Sequence, residues 1–98
     1  MEKKIKITVL KRELYQDLVD EYAADKNFGA CPAVEDGQVY MLDGMDKPDK
    51  FCSWAWADIQ RDVVALYSGA SYSWTKPGVI ISCCTDGFRP VVFKLELV

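Results

Sequence analysis

The amino-terminal residues alternate between apolar and polar side chains, which predicts a β-strand with one buried face. Ile5, Ile7 and Val9 share one side of this strand, and the lysines and threonine between them share the other. Over residues 13–23 the period changes to helical spacing, with acidic side chains opposite the apolar ones. We therefore expect a strand followed by a short helix over residues 13–23.

The middle of the chain predicts two loops, a short strand and the clearest helix of the sequence. Residues 25–37 and 43–50 contain the glycines, prolines and aspartates that interrupt regular structure. The run 39–42 between them is apolar on both faces and fits a short strand. An apolar stripe predicts a helix over Ser53–Ser68, with Gly69 as its carboxyl-terminal cap.

The carboxyl-terminal third predicts a β-hairpin. Two apolar runs, Val79–Cys84 and Val91–Leu97, flank Asp86-Gly87, a strong turn signal. The order of elements is then β-α-β-α-β-β. This order predicts an α+β fold: a two-layer single domain over residues 1–98, in which two helices cover a small, mostly antiparallel sheet that ends in the hairpin.

A two-residue turn at Asp86-Gly87 would fix which residues of the hairpin face each other. Cys84 and Cys83 would then point to opposite faces of the sheet, with Cys84 on the core face. The Arg89 guanidinium would lie directly across from Cys84 and favour its thiolate form. The expected pairs are Cys84 with Arg89, Ser82 with Val91, and Ile80 with Phe93.

Composition and charge narrow the classes of partner and the compartment. Twelve basic and fifteen acidic residues give a net charge of −3, which argues against a general affinity for nucleic acid. No apolar run reaches the roughly 18–20 residues that a membrane span requires. We also find no export signal, so we expect a protein of the cytoplasm that binds neither nucleic acid nor membrane.

The chain has four cysteines and no histidine. It therefore lacks the commonest general base and the commonest neutral metal ligand. In a reducing compartment the cysteines are expected to be free thiols or metal ligands. Cys52 lies at the start of the long predicted helix, where the helix dipole stabilises an anion. Cys31 lies in a loop that could approach the other thiols, and Cys83 is expected to be a core residue.

Three motifs resemble a known family. They are Cys31-Pro32, the helix start Phe51–Trp56 and the closing segment Cys84–Phe93. Together they are similar to a family of small uncharacterised prokaryotic proteins that share a C-P loop, a C-x-x-A-W helix start and a C-x-D-G-x-R-P-V hairpin. The resemblance covers nearly the whole chain and implies that Cys31, Cys52 and Cys84 are family positions, whereas Cys83 is an addition. It implies no reaction.

One hypothesis for these three cysteines is a metal site. Thiolate sulfurs suit zinc and other thiophilic ions, so Cys31, Cys52 and Cys84 could form a tri-thiolate centre. Asp86 or water would have to complete the coordination. Their spacing along the chain is not a metal-binding signature.

A second hypothesis is thiol chemistry. The nucleophile would be Cys52 or Cys84, with Arg89 as the partner for an anionic group. Because there is no histidine, the base would have to be Asp58, Asp86 or water.

A third hypothesis is a binding or self-assembling module, and we favour it over the other two. Trp54 and Trp56 lie about 200° apart on a helix, so they cannot both face the core. The two tryptophans, Asp86 and Arg89 are the predicted contacts for a small-molecule ligand, in a pocket near the three cysteines. The surplus of aromatic side chains also predicts a homo-oligomer. Two alternatives stay open. One indole could pack in the core while a loop half-covers the other, and Arg89 could serve only as an ion-pair partner of Asp86 or Asp58.

Overall fold

The computed structural model describes residues 3–25 and 27–98, so residue 26 of the predicted loop 25–37 lies outside the described part. These described residues form one four-stranded sheet and two helices, which confirms the predicted α+β fold with its carboxyl-terminal hairpin. The elements, in chain order, are β1 (Ile5–Arg12), α1 (Gln16–Tyr22), β2 (Val39–Leu42), α2 (Ser53–Tyr67), β3 (Val79–Cys83) and β4 (Val91–Leu97).

The sheet is antiparallel throughout and has the strand order β2-β1-β4-β3. The first and last strands are therefore central neighbours, and Ile7 of β1 lies opposite Leu95 of β4. The register between these strands shifts between Val9 and Lys11, which places a bulge at Leu10. The order could not be deduced from the sequence, because alternation identifies the faces of a strand and not its neighbours.

The hydrophobic core lies between the sheet and α2. The alternating apolar residues of β1 and β4 point to this layer, and one stripe of α2 covers them from above. The residues that form this contact are buried: Ile5, Ile7, Val9, Ala55, Ile59, Val63, Leu66, Ile80, Val91, Phe93 and Leu95.

Helix α2 begins and ends close to where the sequence predicts. Ser68 is its carboxyl-terminal cap, and Gly69 follows with a φ of 90°. The N–H of Ala70 donates to the carbonyl of Ala65 at 2.9 Å, and the N–H of Gly69 donates to the carbonyl of Leu66 at 3.1 Å. This pair of bonds is a Schellman motif, which requires the left-handed conformation that glycine adopts at low cost.

Helix α1 is shorter than the predicted helix over residues 13–23, because the chain before it continues the sheet. The N–H of Glu13 donates to Pro90 at 2.9 Å, and the N–H of Tyr15 donates to Phe88 at 2.8 Å. Residues 13–15 therefore run beside the connection between β3 and β4. The helix covers Gln16–Tyr22 and buries Val19 alone.

The hairpin between β3 and β4 has a different register from the predicted one. Neither Asp86 nor Gly87 has the positive φ that a two-residue type I′ turn demands, and residues 84–90 form a longer connection. The observed pairs are Ile80 with Leu95, Ser82 with Phe93, and Cys83 with Val92. The predicted position of Arg89 across from Cys84 is therefore wrong. Cys83 and Cys84 still lie on opposite faces of the sheet, as predicted, because the observed register differs from the predicted one by an even number of residues.

The face of the sheet opposite α2 carries several exposed apolar side chains. Val39 and Met41 of β2 and Ile81 of β3 are each close to half exposed. Cys83 lies on the same strand as Ile81 and is also exposed. Its expected role as a core residue is therefore wrong, since neither of the two described helices covers this face of β3.

In the described part of the chain, we find no helix with the length and apolar character needed to cross a membrane.

Candidate functional site

Three separate segments of the chain line one cavity of about 260 Å³. They are the Cys31 loop, the start of α2, and the hairpin connection together with β4. Most of the wall is apolar, and three cysteine thiols and one pair of opposite charges interrupt it. The lining residues are Cys31, Pro32, Ala33, Val34, Phe51, Cys52, Trp54, Ala55, Cys84, Asp86, Arg89, Val91 and Phe93.

The structure brings most of the predicted site residues to this cavity. The thiols Cys31, Cys52 and Cys84 line it, as do Trp54, Asp86 and Arg89. Trp56 does not. Its side chain is half-buried on another side of α2, where it meets the ring of Phe51 edge-on with centroids 5.9 Å apart.

Arg12, at the end of β1, holds the Cys31 loop in place. One of its terminal nitrogens donates to the carbonyl of Cys31 at 3.1 Å, and its Nε lies 3.1 Å from the Asp36 carboxylate. Val34 is buried in the core between these two contacts. Sequence reasoning missed this role, because Arg12 reads as one more cation on the solvent face of a strand.

Cys52 occupies the N-cap position of α2. Its side chain makes no capping hydrogen bond to the helix. Lys47 donates to the carbonyl of Phe51 at 2.9 Å and so fixes the backbone just before the helix. Burial of the ring, and then its charge interaction with Cys52, raise the pKa of Tyr40.

Cys84 is the most buried of the four thiols, with 6% of its surface exposed. Its N–H donates to the carbonyl of Val91 at 3.0 Å, and the N–H of Val91 donates back to the Cys84 sulfur at 3.2 Å. The thiol is therefore fixed by its bonds to Val91, and no hydrogen bond between it and Arg89 is found among the described residues.

Asp86 organises the connection between the two strands. Its carboxylate accepts hydrogen bonds from the N–H of Phe88 at 3.0 Å, the N–H of Arg89 at 3.3 Å and the Arg89 Nε at 3.1 Å. Burial alone would raise the pKa of Asp86, but these bonds and the adjacent guanidinium outweigh it and lower the pKa below its ordinary value of 3.8.

Of the two carboxylates considered as partners of Arg89, Asp86 is the one that pairs with it. Its guanidinium also lies over the ring of Phe28, 4.1 Å from the centroid. Asp58, the other partner considered for Arg89, is used differently. Its Oδ2 accepts from the N–H of Thr85 at 2.8 Å and from the Thr85 hydroxyl at 2.9 Å, which ties α2 to the hairpin.

Trp54 stands at the rim of the cavity with 65% of its surface exposed. A second, shallower depression on its other side is lined by Leu18, Tyr22 and Phe88. The indole therefore lies between this cavity and a more open groove beside α1.

The described residues give no support to the predicted tri-thiolate metal centre. Across residues 3–25 and 27–98, no group of three or more cysteine, aspartate and glutamate side chains is placed so that it could hold a metal ion. Cys31, Cys52 and Cys84 line the same cavity, but they are not among any such group.

Comparisons with protein-family models, with curated proteins and with solved structures gave no match.

Proposed function

We propose that this protein binds a small, largely apolar molecule in the cavity between the Cys31 loop, α2 and the hairpin. The observation that carries the proposal is the cavity itself: three segments far apart in the sequence line a concave space of about 260 Å³ with mostly apolar walls. Ligand sites are concave and mostly apolar, with a few polar groups that orient the ligand. The volume lies just below the usual range of about 300–1,000 Å³, so we expect one ring system or a short chain.

The position and free donors of Arg89 support a ligand that carries an acidic group. Its Nε is engaged by Asp86, and the hydrogen bonds found among the described residues leave its terminal amino groups without a protein acceptor. Arginine binds a carboxylate through two parallel hydrogen bonds. Asp86 fixes the guanidinium at the cavity before a ligand arrives, which reduces the entropy lost on binding.

We favour binding over catalysis because the two candidate bases already have partners. Asp58 accepts two hydrogen bonds from Thr85, and Asp86 accepts three from Phe88 and Arg89. Thiol chemistry at Cys52 or Cys84 stays the alternative. All four cysteines are free thiols, which supports a reducing compartment such as the cytoplasm.

The chain carries an internal control for a binding experiment. Octanoate and 1-octanol serve as probes that share an apolar chain and differ in charge. With octanoate bound, we expect iodoacetamide to alkylate Cys31 and Cys52 at least fivefold more slowly, because the probe fills the cavity that both thiols line. Cys83 lies outside the cavity and should react at an unchanged rate. Mass spectrometry of the separated peptides measures each rate.

Two arginine variants test the polar end of the site. Arg89→Gln should abolish the preference for octanoate over octanol while octanol still protects both thiols. Arg61→Gln is the matched control, since the Arg61 side chain is 83% exposed and lies away from the cavity. Equal slowing at Cys83, or no slowing at Cys31 and Cys52 with either probe, would contradict the proposal.

A further inference from the structure

Strand β3 is an edge strand with a free row of backbone groups. It pairs with β4 alone. The N–H of Cys84 donates to Val91 and the carbonyl of Gly78 accepts from Leu97, which shows that the even-numbered residues bond to β4. In an antiparallel pair the intervening residues direct both their N–H and C=O groups away from the partner strand. These are Val79, Ile81 and Cys83.

Nothing in the sequence of β3 protects this edge. Natural edge strands are commonly blocked by charged residues, by proline or by a bulge. The five residues of β3, VIISC, contain no charge and no proline, and β3 pairs with β4 without a break in register. Ile81, at the centre of the strand, is 48% exposed. Among the described residues, one free group has a local acceptor: the N–H of Val79 donates to Lys76 at 3.3 Å.

We propose that a second copy of this chain pairs with β3 in antiparallel orientation, about a two-fold axis at Ile81. Ile81 then lies opposite Ile81 of the second copy, and Cys83 lies opposite Val79. The Ile81 pair exchanges two backbone hydrogen bonds, and each Cys83 N–H donates to a Val79 carbonyl, which gives about four bonds between the chains. The two four-stranded sheets become one continuous sheet of eight strands.

A copy of the same chain fits this edge because the free groups are self-complementary under a two-fold axis. The local charge is also compatible. The chain carries a net charge of −3, but β3 carries none, and the charged residues that line the depression beside it, Asp58, Arg61 and Asp62, include both signs. Two five-residue strands form a small interface, below the roughly 1,200 Å² of a stable complex. We therefore expect a weak dimer whose population rises with protein concentration over the micromolar range.

Charge pairing at the two-fold axis gives a test specific to this register. Ile81→Lys and Ile81→Glu should each be monomeric, because the axis places like charges directly opposite one another. An equimolar mixture of the two should form a heterodimer, since lysine then faces glutamate. Sedimentation velocity over a range of concentrations measures all three samples and the wild-type chain. Met41→Lys is the matched control: Met41 is 49% exposed on β2 at the other edge of the sheet, and its variant should associate like the wild type.

Hydrogen exchange tests the proposal on the unmodified chain, so it does not depend on the folding of any variant. Exchange at the amides of Ile81 and Cys83 should slow at least threefold between dilute and concentrated wild-type protein, while the amide of Met41 is unchanged. A wild-type chain that stays monomeric at every concentration would overturn the proposal. So would an equal effect of Met41→Lys, a mixture that fails to associate, or a dimer lost on reduction, since the register places no Cys83 opposite another.

Discussion

Replacing Phe93 by alanine is expected to lower the free energy of unfolding by about 3–5 kcal/mol. Phe93 is 1% exposed and lies on β4, between Val9 of β1 and Ser82 of β3. Its ring packs against Phe51, with centroids 5.6 Å apart. Domains of this kind are stable by about 5–15 kcal/mol, so the variant keeps only part of its stability. Urea denaturation followed by circular dichroism measures the change.

Two variants separate the loss of packing from a general sensitivity of the strand. Phe93→Leu retains an apolar side chain and should cost less than about 2 kcal/mol. Lys94→Ala alters the next residue, whose side chain lies on the opposite face of the sheet, and should change stability by less than about 0.5 kcal/mol. If Phe93→Ala were no more harmful than Lys94→Ala, the assignment of Phe93 to the core would be wrong. Because Phe93 also lines the cavity, a folded alanine variant should bind longer chains than the wild type does.

The position of Phe93 in the core could be predicted from the sequence, because alternation along a strand determines which side chains share a face. Val91, Phe93 and Leu95 are the most apolar set in the last strand, and all three are buried. The same parity put Cys83 and Cys84 on opposite faces. This result did not depend on the turn, since the true register differs from the predicted one by an even number of residues.

The length of the turn could not be predicted, because it depends on hydrogen bonds made by a side chain. Asp86-Gly87 is a common two-residue turn when the backbone closes the hairpin alone. Here the Asp86 carboxylate instead accepts the N–H groups of Phe88 and Arg89, and the loop lengthens around it. This bonding removes Arg89 from the position opposite Cys84.

The three segments that line the cavity could be predicted from their motifs. The contacts that hold these segments together could not. The sequence gives no distance between the Cys31 loop and the sheet, so the role of Arg12 emerges only from the fold. The exposure of Cys83 was missed for a related reason. An apolar strand is expected to be buried on both faces only when something covers each face, and α2 covers one face of β3.

The arrangement of thiols and carboxylates favours ligand binding over catalysis. A nucleophilic thiol needs a base or a strongly electropositive surrounding to act at neutral pH. The carboxylates of Asp86, in the cavity wall, and of Asp58, on α2, both accept hydrogen bonds from the connection that carries Cys84. Any role for them in proton transfer would loosen the wall of the cavity, and this conflict favours a site that holds a ligand without transforming it.

Removing the Asp86 carboxylate is expected to lower the free energy of unfolding by about 1–3 kcal/mol at pH 7, because three donors lose their acceptor. Asp86→Ala makes the change, and urea denaturation measures it. Asp49→Ala is the matched control: Asp49 is exposed in a loop, and no hydrogen bond or ion pair of its side chain is found among the described residues. It should leave the stability within about 0.5 kcal/mol of the wild type.

The dependence on pH distinguishes a charged acceptor from a simple packing effect. The pKa of Asp86 is lowered in the folded protein, so its charge stabilises the fold fully above its ordinary value of 3.8. That contribution is lost as the pH falls through 3.8 towards the folded-state pKa, where the carboxylate becomes protonated. The difference in stability between wild type and Asp86→Ala should therefore shrink steadily below pH 4. A difference that stays constant down to pH 2.5 would mean that Asp86 acts through its shape and backbone preference, and that the ion pair with Arg89 adds nothing to the wall of the cavity.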